Sequence, residues 1–339
     1  MRRNLVMTIG LGTIALGLTL ITVQPTLAMQ AAPSAEAPAL GAAIDSLADK
    51  LRTSYVEPAV GERYAAMLRA NRSDYLHITD SAALARRVTA DLQAVHADGH
   101  LRVTVASASA APGRLRPAGG PVILDPKWIA DGVAYVRLTM FDGSPESLAI
   151  LEAFMKEHAD AKAIIFDARE HHGGGPDEMD VILPYLFAKP TRLVTLDLAQ
   201  SVVDALESPP QDPPSMRHVA GPPGVYRREH WVTPNAETRL RNAKVFYLTS
   251  RATASAGEHL ALALQRTHRG VLVGERTAGA NHFGGFEPIG AGLTASVPVG
   301  RAFDPDTGKD WETVGLTPDI AVPADRALDK ALELAKAGS

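Results

Sequence analysis

Apolar residues recur at helical spacing in three successive stretches near the start of the chain. These are Leu40, Ile44, Leu47 and Leu51; Val60, Tyr64, Met67 and Leu68 after Pro58; and Leu84, Val88, Leu92 and Val95 after the start signal Asp80-Ser81. They predict three amphipathic helices, enough for a small helical domain. The third runs out at His96-Ala97-Asp98-Gly99-His100, where Asp-Gly signals a turn, and Leu101 to Val105 then alternates as a strand. Beyond an Ala, Gly and Pro loop from Ala106 to Pro121, the pattern changes. Val133 to Leu138, Ala163 to Phe166 and Leu193 to Leu198 read as strands, with helices over Glu146 to Lys156 and Met179 to Phe187 between them. Lys244 to Gly274 repeats the theme: an apolar strand at Val245 to Leu248, a helix carrying Leu260, Leu262 and Leu264, and a strand at Val271 to Val273. Leu293 to Val299 alternates as a strand, and Arg326 to Ala337 closes the chain as an amphipathic helix. Strands and helices in alternation predict an α/β core.

The first residues stand apart from this pattern. Met1-Arg2-Arg3-Asn4 is basic, Leu5 to Val23 is mostly apolar, and Pro25-Thr26-Leu27-Ala28 supplies a small residue at a cut site. That order is the order of a secretory signal peptide cleaved after Ala28. A retained anchor is the competing reading, because the apolar run approaches the roughly 20 residues that span a bilayer. Gln30 to Pro38 is rich in Ala, Pro and Ser and reads as a disordered leader. The chain has no cysteine, which excludes disulfides, thiolate metal sites and lipidation of a cysteine at the cut. With 46% hydrophobic residues it can bury a sizeable core without such staples. A formal charge of −4 and the lack of a long basic run speak against a nucleic-acid partner.

Two segments carry candidate chemistry. Between the strand and helix of the Lys244 to Gly274 unit lie Thr249-Ser250-Arg251-Ala252-Thr253-Ala254-Ser255-Ala256-Gly257-Glu258, mostly small residues that leave the backbone approachable. A helix starting near Ser255 would direct its free N–H groups and the positive end of its dipole at the same point as the hydroxyl, as an oxyanion requires. On local sequence alone Ser255 reads first as an N-cap and nothing more. The strand Ala163 to Phe166 runs into Asp167-Ala168-Arg169-Glu170-His171-His172-Gly173-Gly174-Gly175 before another helix. These glycines serve either an anion hole of backbone N–H groups or a tight turn. His100 sits at a helix-to-strand corner, where a side chain can face a cleft or simply solvent. His96 and His100 have a four-residue spacing, but no Glu follows His96 as a metalloprotease pattern requires. The proline-rich stretch from 207 to 223 reads as a long surface excursion with no assigned role.

In their order along the chain these motifs resemble the C-terminal processing (tail-specific) serine peptidase family, in its branch with the tricorn core protease and interphotoreceptor retinoid-binding protein. The resemblance is carried by Asp167-Ala168-Arg169 with its glycines, Thr249-Ser250 with Ser255-Ala256-Gly257-Glu258, and Val273-Gly274-Glu275-Arg276-Thr277-Ala278-Gly279. The turn Gly300-Arg301-Ala302-Phe303-Asp304-Pro305 adds to it, as does Trp311-Glu312 with Gly315, Pro318 and Asp319. It implies an α/β fold with a crotonase-like ββα core and a small N-terminal helical domain. The division expected is a signal peptide at 1–28, a leader at 29–39, a helical domain at 40–100 and a peptidase core at 101–339. The 106–121 loop is too short for the PDZ module of many relatives, so recognition of a free C-terminus is not implied.

Roles follow by position. Ser255 matches the family's nucleophile, and Ala256 N–H with an amide of Gly173-Gly174 matches its oxyanion hole. Ala280 stands where the processing-protease branch has a lysine base, which disfavours a serine-lysine dyad. His100 and Glu312 match the base and the acid of the tricorn-like branch. The resemblance thus implies an exported, periplasmic or secreted serine-type peptidase acting on peptide or protein substrates through an acyl-enzyme. No cofactor or metal is implied, and no stable membrane insertion after signal cleavage. One departure is His171, where the family usually has asparagine. A lipase-like hydrolase or esterase is a rival reading, since His172-Gly173-Gly174-Gly175 looks like that fold's oxyanion motif, but its chain order of Ser, acid, His is not met. A non-catalytic binding protein for apolar ligands on the same fold is the other.

Overall fold

The computed structural model describes residues 36–106, 121–208 and 210–337, and the signal-peptide reading falls outside them. Glu36–Ser339 forms one compact unit. Helices α1 (Glu36–Ser54), α2 (Pro58–Ala70), α3 (Arg72–Tyr75) and α4 (Ser81–Val95) come first. Pro58 opens α2, and Asp80 caps α4 by accepting from Ala83 N–H at 2.6 Å. α1 starts at Glu36, inside the stretch expected as leader. Strand β1 (Arg102–Val105) follows, then β2 (Ile123–Ala130), β3 (Val133–Leu138), α5 (Pro145–Glu157), β4 (Ala163–Asp167) and α6 (Asp177–Leu186). β5 (Thr191–Ala199), α7 (Gln200–Asp204), β6 (Met216–Val219) and β7 (Val225–Val232) lead to β8 (Lys244–Thr249), α8 (Ala256–Arg266) and β9 (Val271–Gly274). β10 (Phe283–Gly290), β11 (Leu293–Phe303), β12 (Ile320–Ala321) and α9 (Ala327–Lys336) complete the chain.

Two six-stranded sheets result. The first has the order β12-β9-β8-β4-β3-β2, parallel throughout except for β2 against β3. The succession β2-β3-α5 is one ββα unit, and β8-α8-β9 is a parallel βαβ unit of the same sheet. The second sheet is antiparallel, β1-β11-β5-β7-β6, with β10 also on β11. A central apolar core lies between the parallel sheet, α5, α6, α8 and β5, with Phe154, Phe166, Ile182 and Leu260 buried in it. Another joins α1, α2 and α4 to β1, β10 and β11 through Ile44, Leu68, Leu92 and Val297. The far face of the parallel sheet is closed by α9 through Ala327 and Ala331.

Strands β2, β7 and β10 are absent from the sequence pattern for identifiable reasons. β2 and β10 carry Pro126 and Pro288 with shifts in register, which edge strands tolerate. β7 holds Arg227, Arg228 and Glu229 in succession, with Arg227 and Glu229 paired to Asp197 and Arg192 on β5 and Arg228 paired to Asp212 in the segment before β6. β6 likewise lies inside the 207–223 excursion. Among the described residues no helix is long and apolar enough to cross a membrane.

Candidate active site

Ser255 is the residue through which β8 turns into α8, and its backbone sits at φ 52° and ψ −118°. Such a conformation is costly for a residue with a Cβ and persists only where its surroundings impose it. They do so from three sides. Thr253 Oγ1 donates to Ala168 O at 2.7 Å and accepts from Ser250 N–H at 2.9 Å, and Ala254 N–H donates to His171 O at 2.9 Å, so the turn is tied to the segment after β4. Ser255 N–H donates to Glu258 Oε2 at 2.9 Å, one turn into the helix. Gly257, Glu258 and His259 N–H are taken by Ala254 O and Ser255 O, while Ala256 N–H has no acceptor among the described residues. The free donor of the helix start is thus the one next to the hydroxyl.

The glycine turn after β4 reaches the same point. A Cβ on Gly173 would stand 2.8 Å from Ser255 Cβ and 3.2 Å from its Oγ, and Gly173 adopts φ +104°, so glycine is required on both counts. Gly174 has φ +132° and packs so tightly that a Cβ would fall 1.8 Å from Phe141 O. Gly173 N–H is already used: it donates to His171 Nδ1 at 3.1 Å. Gly175 N–H goes to Phe141 O, which leaves Gly174 N–H as the amide of this turn without an acceptor among the described residues. His171 is fully buried, edge-on to Phe141, and burial pushes it down to about 3, so its ring is neutral and Nδ1 is free to accept. The histidine that replaces the family's asparagine is therefore a fixed part of the turn.

Glu258 joins the Ser255 turn to a second loop. Oε2 accepts from Ser255 N–H and Ala280 N–H, and Oε1 from Thr277 Oγ1 at 2.5 Å and Gly279 N–H at 2.8 Å. Burial pushes this carboxyl up, and the four donors pull against it. The next amides along the loop, Asn281 and His282 N–H, donate to Glu312 Oε2 at 2.7 and 2.8 Å, while Gly99 N–H donates to Glu312 Oε1 at 2.9 Å. A continuous polar chain therefore runs from Ser255 to Glu312.

His100 and Glu312 are brought together from opposite ends of the chain, with His100 Nδ1 3.9 Å from Glu312 Oε2. That is an ion-pair distance and too long for a hydrogen bond. Burial holds His100 below the ordinary histidine value, opposed by the charges of Glu312 and Asp98. Among the described residues no hydrogen bond joins His100 to Ser255. Asp98 anchors the corner: it accepts from His100 N–H at 2.7 Å, Tyr55 O–H at 2.7 Å and His282 Nδ1 at 2.8 Å. Burial alone would push His282 down, but its bond to Asp98 outweighs this and holds it up. Two groups of carboxylates and histidines lie close enough to share a cation, Asp98-His100-Glu312 and Glu57-His282-Asp310. In the first the carboxylate oxygens of Asp98 and Glu312 accept from the donors above, and Arg301 Nη1 already faces both carboxylates of the second, at 3.5 and 3.2 Å.

Ser255 and Ala256 open onto a cavity of about 290 Å³ walled by Leu196, Met216, Phe283, Ala302 and Trp311, with His259 among its few polar groups. Sequence reasoning passed over two contributors. Glu258 had a signal, the Ser-x-x-Glu spacing of a capping box. His259 had none, since only the fold turns it toward the cavity.

Residues 132–322, more than half of the chain, match peptidase family S41, and residues 35–127 match the N-terminal domain of peptidase S41 in eukaryotic IRBP. A carboxyl-terminal-processing protease of Picosynechococcus sp. (strain ATCC 27264 / PCC 7002 / PR-6) is 39% identical over 88 residues, which span 25% of this chain and 20% of that relative. Among solved structures, the photosystem II D1 C-terminal processing protease matches with a TM-score of 0.53 and 16% identity, covering 86% of this chain and 94% of that one. A protein of Parabacteroides merdae ATCC 43184 matches with a TM-score of 0.56 and 18% identity, covering 91% and 98%. At such identities the structural likeness speaks for the fold, and the family match extends over the segments that hold Ser255, the glycine turn and Glu312. The chain belongs to peptidase family S41.

Proposed function

We propose that this protein is an exported serine peptidase that cleaves peptide or protein substrates through an acyl-enzyme, with Ser255 as nucleophile, His100 as general base and Glu312 as the group that orients His100. The observation that carries this reading is the strained Ser255 backbone with two amides beside it, those of Ala256 and Gly174, that have no acceptor among the described residues. A carbonyl carbon attacked by Ser255 Oγ would leave its oxygen between these donors, where developing charge is met without reorganisation. The hydroxyl proton passes to His100 through Nε2, since Nδ1 is the nitrogen turned to Glu312. His100 then returns it to the leaving amine, and a water activated by the same imidazole releases the acyl group. The His100 to Glu312 gap of 3.9 Å has to close by about 1 Å for an oriented hydrogen bond, a tightening that catalytic contacts commonly show on substrate binding.

Labelling with a fluorophosphonate probe tests the assignment. Wild type should label at Ser255 and Ser255→Ala should not. His100→Ala should lose nearly all peptidase turnover, with the double variant scarcely worse, because the residues act as a unit. Full turnover by His100→Ala would require another base. Labelling with ester but no peptide hydrolysis would redirect the reading to an esterase. Export follows from the signal-peptide pattern, and N-terminal sequencing of secreted or periplasmic protein should start near Met29.

A further inference from the structure

His259 lies one helical turn after Ser255 on α8, is 7% exposed and lines the same cavity. Its Nε2 is 3.0 Å from His230 Nδ1, and His230 Nε2 is 3.0 Å from Asp180 Oδ1. His230 is wholly buried. The direction of this chain is set at its outer end. Asp180 is a carboxylate, further fixed by Ser215 Oγ at 2.6 Å on its other oxygen, so His230 Nε2 must donate to it. With an uncharged His230, Nδ1 is then an acceptor and His259 Nε2 must be the donor between the rings. The proton of a neutral His259 is thereby placed on Nε2. Burial and the neighbouring His230 keep His259 well below the ordinary histidine value, consistent with a neutral ring. Nδ1 is left as a lone-pair acceptor, with no partner among the described residues, in a cavity that Leu196, Met216, Phe283 and Ala302 line together with the polar side chains of Arg228, Asn281 and Trp311.

We propose that His259, aligned by His230 and Asp180, is a specificity determinant beside Ser255, and that it selects substrates whose side chain N-terminal to the scissile bond is an apolar body ending in a hydrogen-bond donor, a tyrosine phenol. The proposal rests on Ser255 as the nucleophile. The apolar part of the wall favours the ring, and the His259 acceptor favours a ring tipped with O–H over one that would leave Nδ1 unpaired. Leaving such an acceptor unmet is penalised, so kcat/KM on a tyrosyl peptide should exceed that on its phenylalanyl counterpart by about 10-fold.

The polarity of the chain can be reversed without touching the cavity. In Asp180→Asn the amide oxygen can keep Ser215 while its NH2 donates to His230 Nε2. His230 Nδ1 then carries the proton and donates to His259 Nε2, so His259 Nδ1–H becomes a donor. Matched peptides with Tyr, Phe, Glu or 4-cyanophenylalanine at this position are compared at pH 8, where an imidazole is ordinarily uncharged. Wild type should prefer Tyr over Phe and reject 4-cyanophenylalanine, whose nitrile only accepts. Asp180→Asn should raise 4-cyanophenylalanine above Phe. His259→Leu should bring the Tyr to Phe ratio close to one. In parallel, 15N shifts of the His259 ring are followed in titrations of wild-type protein with p-cresol and with toluene. This arm does not depend on turnover, so it decides the inference even if peptidase activity is not found, and the fluorophosphonate label reports separately on Ser255. Equal rates on Tyr and Phe, a preference for Glu through Arg228, or no difference in the His259 response to p-cresol and toluene would each overturn the proposal.

Discussion

Replacing Glu258 by glutamine exchanges one carboxylate oxygen for an NH2 at a position where four donors converge. Either way the amide is turned, its NH2 faces two of them: Ser255 and Ala280 N–H on one side, or Thr277 Oγ1 and Gly279 N–H on the other. Two hydrogen bonds to a charged acceptor are lost, each worth about 1.5–3 kcal/mol, and two buried donors are left unmet. Part of this is returned, because the buried charge is also removed, and burial is what pushes Glu258 up. A net loss of about 3 kcal/mol is expected, at the lower end of that sum. For a unit of about 300 residues this corresponds to a fall in Tm of about 5 °C, at about 1.6 °C per kcal/mol. Activity should suffer more than stability. Glu258 holds the Ser255 amide and the loop that passes Asn281 and His282 to Glu312, so releasing it displaces both halves of the site. Misplacement of about 1 Å typically costs about 10²-fold in turnover. Thermal unfolding followed by circular dichroism and kcat/KM on a peptide substrate measure the two effects. A Glu258→Gln protein with wild-type Tm and rate would refute the idea that this carboxylate couples the Ser255 turn to Glu312.

The other expectations concern the histidines and the glycine turn. With His100 as the proposed base its neutral form is the active one, so kcat/KM should rise with pH, and because burial lowers His100 the rise should be centred below the ordinary histidine value of about 6.5. Glu312→Gln removes a charge that raises His100, so it should cut the rate and move the rise further toward acid. Asp98 is depressed against the push of burial by its bonds to His282 and Tyr55, so its contribution to stability is present above about pH 4 and fades as pH falls through its folded value. His282 is raised, so its contribution is complete below about pH 6.5 and fades as pH rises through its folded value. The Tm gap between wild type and Asp98→Asn should therefore be widest between about pH 4 and 6.5 and narrow on both sides; a gap independent of pH would remove the ion pair from the account. Gly174→Ala should express poorly or unfold early, since its Cβ would meet the Phe141 backbone and not a side chain that can move. A stable Gly174→Ala protein would contradict that packing.

Several features were legible from local pattern because local physics decides them. The helices of the N-terminal region, the strands β3, β4 and β8, and α8 with its small-residue approach all follow from apolar period, caps and breakers that a few neighbouring residues determine. The glycine turn was also readable, since backbone that must bend sharply or admit a close neighbour leaves glycines in the sequence, but its pairing with Ser255 came only from the resemblance to a family. β2, β7 and β10 were not, because their prolines and charges are tolerated only through edge positions and partners on other strands. The use of Gly173 N–H by His171 depends on a ring buried against Phe141, and it narrows the free amides of that turn to Gly174. The approach of His100 to Glu312, and of His259 to His230 and Asp180, exists only when distant segments are packed side by side. Sequence carries a residue's chemistry and its local backbone. Which buried lone pair or proton is left free is a property of contacts across the whole fold, and it is there that the candidate site and its cavity were decided.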